Sequence, residues 1–430
     1  MMPDTWPHRT CASMILACAA TILPLSPLLA GAAERGDFRD RFEIERTFEF
    51  NAESVHNRDL DDATSDFQSA VRPEIAVEIE FEASDRIRAF LELEANYRAF
   101  VARGRDRAPA QDEAEINVKG AYLDIAATRP GLSFRLGRQE FKDEREWLFD
   151  TDIDGISARV EHERLAFEFV AGRELLLKEN LLERTPRQDK INNYAFIAHI
   201  NPTDDHLLSA YTFIRDGRSG VDEDPVYFGV SARGDATDAL SYWVDLAHLR
   251  GRDDGNRLRG VGLDIGATYR LPGRLAPSVT LGYAHASGDP EPTGGVDRQF
   301  RQSGLQDNSY RFNGVENFRY YGEALNPDLS NLRVISVGVG IRPTKGSSID
   351  LTYHLYRQDV ATAGRIPGAR VIAETNGRDP AIGHGLNLIF GYHDIEDVRL
   401  RTKLGWFSPG AAFDLAGDAF VIESGIEVAF

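Results

Sequence analysis

Three cations recur at two-residue spacing in Arg399-Leu400-Arg401-Thr402-Lys403, which puts all three on one face of an extended strand. Fixed guanidinium groups in such a row can bind carboxylates through paired, charge-assisted hydrogen bonds. They also repel one another unless acids or a ligand lie opposite. Arg88, Arg98, Arg135, Arg159 and Arg342 fall on the polar faces of other alternating segments, and Arg138 lies just past the clean alternation of its own. Many glutamates, among them Glu43, Glu78 and Glu94, share those faces. Two readings follow and can hold together: salt bridging across an interior, or selection of an anionic ligand.

Other chemistries have fewer residues behind them. Asp150-Thr151-Asp152-Ile153-Asp154-Gly155 followed by Glu161 fits the linear pattern of a calcium loop. That loop needs a helix on either side, whereas Ile156–Val160 and Leu165–Ala171 alternate as strands, so the expectation is an acidic turn and no metal. Calcium on Asp150, Asp152, Asp154 and Glu161 is the alternative. No G-x-S-x-G elbow, H-E-x-x-H pair or phosphate-binding glycine loop occurs. Ser241 with His248 and Ser348 with His354 are the pairs an outer-membrane hydrolase would have to use, but ten scattered histidines are what composition supplies. The chain is expected to be no enzyme and to need no cofactor.

The elements that would carry the cations are strands. Phe42, Ile44, Phe48 and Phe50 alternate with Glu43, Glu45 and Glu49, and Ile75, Val77, Ile79 and Phe81 alternate with Glu74, Glu78, Glu80 and Glu82. A helix would scatter such residues around its circumference, while a strand sorts them onto two faces. The pattern returns at about 87–97, 116–125, 132–138, 156–160, 165–171, 194–200, 207–215, 226–232, 240–248, 261–269, 279–285, 334–341, 349–357, 386–392, 398–406 and 420–430. These are eighteen candidate strands of about ten residues, the length that crosses a bilayer when tilted. No repeat of solenoid length accompanies them. The expected fold is all-β: a transmembrane antiparallel barrel of about 18 strands, residues 33–430, with a long inserted loop. Tyr97, Tyr122, Trp243, Tyr269, Tyr283, Tyr353, Tyr392 and Trp406, at or near strand ends, are expected in the interfacial girdles.

Residues 1–32 read as a secretory signal peptide: His8 and Arg9, an apolar run broken by Pro24 and Pro27, and Ala30-Gly31-Ala32. A lipoprotein at Cys18 is the alternative. Both cysteines, Cys11 and Cys18, fall in this leader, so the mature chain is expected to have no disulfide and no thiolate metal site. Its balance of 48 basic against 67 acidic residues argues against nucleic acid as a partner. The last segment places Phe420, Ile422, Ile426, Val428 and Phe430 on one face, a pattern expected of a closing strand read by the barrel-assembly machinery. The lumen-facing side would be wet and the other side would meet outer-membrane lipid.

Residues 297–333 break the alternation. They are rich in aromatics and arginines and carry Gly304, Gly314, Gly322 and Asn326-Pro327. The aromatic content argues for an ordered loop, set opposite the short turns. Arg298, Arg301, Arg311 and Arg319, with Tyr310, Tyr320 and Tyr321, would narrow the lumen if the loop folds inward; a packed outer cap is the alternative.

With these residues in view, the chain resembles the alginate export family of outer-membrane proteins. The resemblance rests on LGRQEFKDEREWLFDTDIDGISAR, on FRQSGLQDN with FRYYGEALNPDLSNL, on LTYHLYRQ and on the terminal strand. It implies an 18-stranded barrel of the bacterial outer membrane with a narrow, arginine-lined, anion-selective pore that passes an anionic polysaccharide. The pore-lining set expected on both grounds is Arg88, Arg98, Arg135, Arg138, Arg159, Arg301, Arg311, Arg399, Arg401 and Lys403. A periplasmic export scaffold is a partner implied by the family alone. Uptake of oligouronates or other anionic oligosaccharides through a substrate-specific porin is the competing function.

Overall fold

The computed structural model describes residues 41–108, 110–174, 176, 179–183, 191–217 and 224–430. The expected leader lies outside the described residues. Eighteen strands form the wall: β1 (Phe42–His56), β2 (Gln68–Ser84), β3 (Ile87–Arg103), β4 (Glu113–Ala126), β5 (Leu132–Lys142), β6 (Asp150–His162), β7 (Leu165–Arg173), β8 (Ile191–Ile200), β9 (His206–Gly217), β10 (Asp224–Thr237), β11 (Leu240–Asp253), β12 (Gly260–Arg270), β13 (Ser278–Ala286), β14 (Leu332–Thr344), β15 (Ser347–Gln358), β16 (Ala381–Ile395), β17 (Val398–Pro409) and β18 (Ala419–Ala429). Every strand is antiparallel to its neighbours in sequence. β1 pairs with β2 on one side and with β18 on the other, from Thr47 opposite Ala429 to His56 opposite Phe420, so the sheet closes on itself. Closure gives each wall strand two partners, which a span through hydrocarbon requires.

Each expected strand is present, and most run longer than the alternation showed, up to 17 residues in β3. Alternation fades toward the outer ends because loops, not lipid, cover the wall there. Short turns such as Asp85-Arg86, Glu163-Arg164 and Glu396-Asp397 lie at the end of the barrel where β1 begins and β18 ends; the long connections lie at the opposite end. In an outer-membrane barrel the short-turn end faces the periplasm.

β15 shows how the two faces are sorted. Ile349, Leu351, Tyr353 and Leu355 are exposed, and Ser348, Asp350, Thr352, His354 and Tyr356 between them are buried. An exposed apolar stripe around a closed wall is a lipid face, and the polar stripe looks into the lumen. Six of the eight expected girdle aromatics lie on the lipid side. Tyr122 and Trp243 do not: Tyr122 stacks on Phe90 inside the lumen, and Trp243 stacks on Phe312 with ring centroids 5.4 Å apart. Parity marks both: each lies an odd number of residues from a lipid-facing leucine, Leu123 or Leu246, and so on the opposite face.

A ring of 18 strands would leave a wide aqueous bore. Residues 287–331, between β13 and β14, fill much of it. The segment descends through Phe300 and Phe312, makes a short antiparallel pairing of Ser309–Tyr310 with Phe318–Arg319, and returns through Tyr320, Tyr321 and Leu325. At its tip the Val315 amide donates to Ser348 Oγ (3.0 Å), and Glu316 meets His393 (3.4 Å). Ser348 is the second residue of β15 and His393 lies near the end of β16, so the tip reaches the periplasmic end of the wall. Two glycines make the approach possible. A Cβ on Gly314 would lie 2.2 Å from Asp350 Oδ2, and Gly322, at φ +105°, would drive one to 2.1 Å from the Tyr356 hydroxyl. The inward placement expected for this loop is the one observed. Its aromatics join Phe141, Trp147, Phe149, Phe213 and Tyr227 of the wall and of residues 143–149 in a hydrophobic core inside the barrel.

Candidate functional site: an arginine cavity beside the plug

The plug leans on β9–β16 and reaches β17 at Gly405. It touches Arg215, Tyr227, Trp243, Asp264, His354, Tyr356, Asn387, Gly391 and Gly405, and leaves the inner wall of β18 and β1–β3, with Arg401 of β17, open. There a cavity of about 560 Å³ is lined by Arg58, Arg72, Arg98, Arg107, Arg319, Arg370 and Arg401, with Glu53 and Glu423 as its acids. Seven guanidinium groups and two carboxylates line this space, and Glu74, Asp307 and Glu49 just behind the lining pair with Arg72, Arg319 and Arg401, which leaves an excess of two cations inside a chain of net −19. Its size falls within the roughly 300–1,000 Å³ of small-ligand sites.

The acids hold the arginines without neutralising them. Arg98 pairs with Glu53 at 3.3 Å, Arg370 with Glu53 and with Glu423 (3.8 Å), and Arg401 with Glu49 while donating to Asn51 Oδ1 (2.7 Å). Arg58 donates from Nε to the Arg370 carbonyl (2.6 Å), which anchors residues 359–380 over the cavity. Burial, followed by the nearby Arg107, lowers the pKa of Arg58, the direction a guanidinium takes among like charges.

Of the ten cations expected to line the pore, Arg98 and Arg401 line this cavity, and Lys403 sits beside it, 3.9 Å from Glu423. Arg88, Arg135, Arg159 and Arg399 face the lumen nearer the periplasm, each against an acid: Glu80 at 3.6 Å, Asp124 at 2.7 Å, Glu161 at 2.7 Å and Glu427 at 3.2 Å. Arg311, on the plug, lines a second cavity of about 590 Å³ that also holds Asp204, Asp205, Asp235, Arg233 and Arg270. Arg301 is tied down outside the bore by Asp253 (2.6 Å) and Asp297 (2.9 Å).

Arg138 is buried against Asp154 in a two-pronged pair of 2.8 and 2.9 Å and borders a third cavity of about 440 Å³ that also holds Lys119, Glu140, Asp150 and Asp152. The positive φ of Gly137 marks the irregularity at which the alternation became unreadable.

The calcium pattern dissolves in the same strand. Asp154 is taken by Arg138, Asp152 by Lys119 (2.8 Å), and Glu161 lies at the far end of β6 against Arg159. Asp150 instead gathers with Glu146 and Asp307, all within 4.8 Å of one another, a cluster that two separated stretches of sequence contribute. The hydrolase pairs are not formed either. His354 Nδ1 meets Ser336 Oγ (2.8 Å), Ser348 receives the Val315 amide, and Ser241 accepts from Arg270 (3.1 Å).

Arg58, Arg107 and Arg370 were not legible as pore residues, because each sits in a loop whose place over the lumen is set by the closed wall. Arg72 was within reach: extending the alternation of residues 74–82 back past Pro73 puts it on the face of Glu74. Arg145 was likewise missed. It is fully buried between the rings of Trp243 and Tyr320, 4.5 Å from each, and bridges Asp264 (3.2 Å) and Asp245 (3.4 Å). Asp264 also accepts from Trp243 Nε1 (2.7 Å) and the Tyr321 hydroxyl (2.7 Å), and that hydroxyl accepts from Trp147 Nε1 (3.0 Å). Burial alone would lower the Arg145 pKa, but Asp264, Tyr320 and Asp245 outweigh it and raise it. Residues 143–149, the wall and the plug are thereby latched together.

A closed 18-stranded wall with an apolar outer stripe, a polar and plugged lumen and no catalytic constellation among the described residues defines an outer-membrane channel. The chain belongs to the family described as Alginate export, which matches residues 35–425. Membership makes it a transport protein of the bacterial outer membrane and not an enzyme. The fold is also similar to that of the outer membrane protein OprD from Pseudomonas aeruginosa: 11% identity, 93% of this chain and 95% of that one, TM-score 0.58. Pseudomonas aeruginosa OccK7 (OpdD) gives 14% identity, 90% and 98% coverage and a TM-score of 0.56; Acinetobacter baumannii OccAB2 gives 12%, 92% and 99%, and 0.57. At these identities the likeness is one of fold. No curated protein sequence matches the chain.

Proposed function

We propose that the barrel passes an anionic polysaccharide or oligosaccharide of the alginate type, one carboxylate per sugar, along the open wall of β18 and β1–β3, with Arg401 of β17. The observation that carries this reading is the convergence of seven arginines on one cavity, an excess of cations that remains after the acids paired with them are counted. Guanidinium forks bind carboxylates by paired hydrogen bonds, and several in one space offer a chain of carboxylates successive sites. Glu53 and Glu423 compete for the same forks, which keeps each site weak enough to release its sugar, as conduction requires. Arg399 and Lys403 extend the row along β17, and Arg311 belongs to the second cavity. Residues 1–32 would be the cleaved leader, and the closing strand ending at Phe430 would be the element the assembly machinery reads.

Planar-bilayer recording of refolded protein tests the proposal. Anion selectivity and a conductance that falls on adding mannuronate or guluronate oligomers are expected, and Arg370→Glu with Arg401→Glu should abolish both. Cation selectivity that no uronate affects would overturn it.

A further inference from the structure

The lumen beside β1–β3 carries opposite charge at its two ends. Toward the outside lies the cavity, where Arg72 and Arg98 of the wall, paired with Glu74 and Glu53, meet Arg58, Arg107, Arg319, Arg370 and Arg401. Toward the periplasm it holds glutamates set directly against one another across strands: Glu45 opposite Glu78, Glu78 opposite Glu92, and Glu43 opposite Glu80. Like charges so placed destabilise a sheet, so alternation alone does not account for them. Glu80 has Arg88 at 3.6 Å, whereas Glu43, Glu45, Glu78 and Glu92 make no ion pair among the described residues. Their neighbours on the other face, Ile44, Ile79 and Leu91, stand on the lipid side in the same register, so these carboxylates lie at membrane height and not on a rim. Six residues of β2 separate Glu78 from Arg72, about 20 Å along the strand. That exceeds the Debye length of about 8 Å at physiological salt, so the two zones act as separate fields.

We infer that the pore is electrostatically one-sided: it captures anionic oligomers from the outer face and opposes their entry from the periplasm, and it rectifies current. The inference rests on the function proposed above. A polyanion arriving from outside meets the arginine zone first and its on-rate is raised; one arriving from the periplasm meets unpaired carboxylates first and its on-rate is lowered. For small ions the two zones act in series. With the periplasmic side positive, cations enter through the acidic zone and anions through the basic one, and both accumulate where the zones meet. With the polarity reversed both drain away. Conductance is therefore higher with the periplasmic side positive, by about threefold for each kT of potential difference between the zones.

The test is single-channel recording of oriented barrels. Glu291→Cys, on an exposed long connection, accepts a biotin whose streptavidin adduct marks the outer side. Uronate oligomers added outside should block at least several-fold more often than the same concentration added inside, with the stated sign of rectification. Replacing Glu43, Glu45, Glu78 and Glu92 with Gln should equalise the two blocking rates and linearise the current while anion selectivity stays. The substitutions are isosteric and remove repulsion, so the barrel is expected to fold. Equal block from both sides in the unaltered protein, with anion selectivity intact, would overturn this inference and leave the proposed function standing. Absence of block from either side, with cation selectivity, would instead overturn the proposed function.

Discussion

Arg145→Met removes the cation at the centre of the latch while keeping most of its aliphatic length. Of its two acids, Asp264 retains two donors, Trp243 Nε1 and the Tyr321 hydroxyl, and stays satisfied. Asp245 loses the guanidinium 3.4 Å away and is left buried without a hydrogen-bond partner. Breaking a buried pair from one side costs about 3–5 kcal/mol, and the surviving donors on Asp264 place this case near the lower figure. Three cation–π contacts, to Trp243, Tyr320 and, at 5.9 Å, Tyr310, are lost as well, offset by packing of the methionine against the same rings. About 3 kcal/mol raises the population in which the plug has left the wall by roughly a hundredfold. The wall strands are unaffected, so heat-modifiable migration on gels should not change. Amide exchange of residues 318–325 should quicken by about the same hundredfold factor, and single channels should show brief openings to a larger conductance. Unchanged exchange across 318–325 together with quiet channels would refute the view that Arg145 holds the plug.

Shortening the plug by deleting residues 305–325 should raise single-channel conductance several-fold and lower anion selectivity; a deletion that leaves both unchanged would show that the current does not run beside the plug. Gly322→Ala forces a Cβ toward the Tyr356 hydroxyl at a positive φ and should destabilise the plug by about 1–3 kcal/mol, read as faster exchange of its amides with the wall protected. Replacing Arg399 and Arg401 together with Glu should reduce anion selectivity chiefly through Arg401, since Arg399 is exposed and paired with Glu427; Arg399→Glu alone matching the double variant would contradict that ranking. Burial, then Asp150 and Asp307, push the Glu146 carboxyl up to about 7. A raised carboxyl takes up its proton in the folded state first, so its contribution favours the latched loop as pH falls from about 7 toward 4.5 and is lost as pH rises. Protection factors across residues 143–149 should therefore be higher at pH 5.5 than at pH 8, and Glu146→Gln should flatten the difference.

The eighteen strands were legible because a strand at a lipid boundary must write its two environments into alternate residues, and Ile75 to Phe81 or Ile349 to Leu355 can be read no other way. The lumen row of Arg399, Arg401 and Lys403 followed from the same parity. The surroundings of Arg138 escaped because Gly137 interrupts the pattern, whereas the lumen side of Trp243 was set by its parity against Leu246. The aromatic loop announced that it was ordered, but not which wall it would lean on.

By itself the sequence determined the strand parity, the side each alternating residue faces and the existence of a packed insertion, because those depend on neighbours two residues apart. Only the closed tertiary structure decided where the pore runs. Arg58, Arg107 and Arg370 come from three loops, and Arg72, Arg98 and Arg401 from three strands, up to 343 residues apart from first to last. Their meeting depends on β1 joining β18 and on the plug filling the opposite wall, neither of which any local pattern encodes.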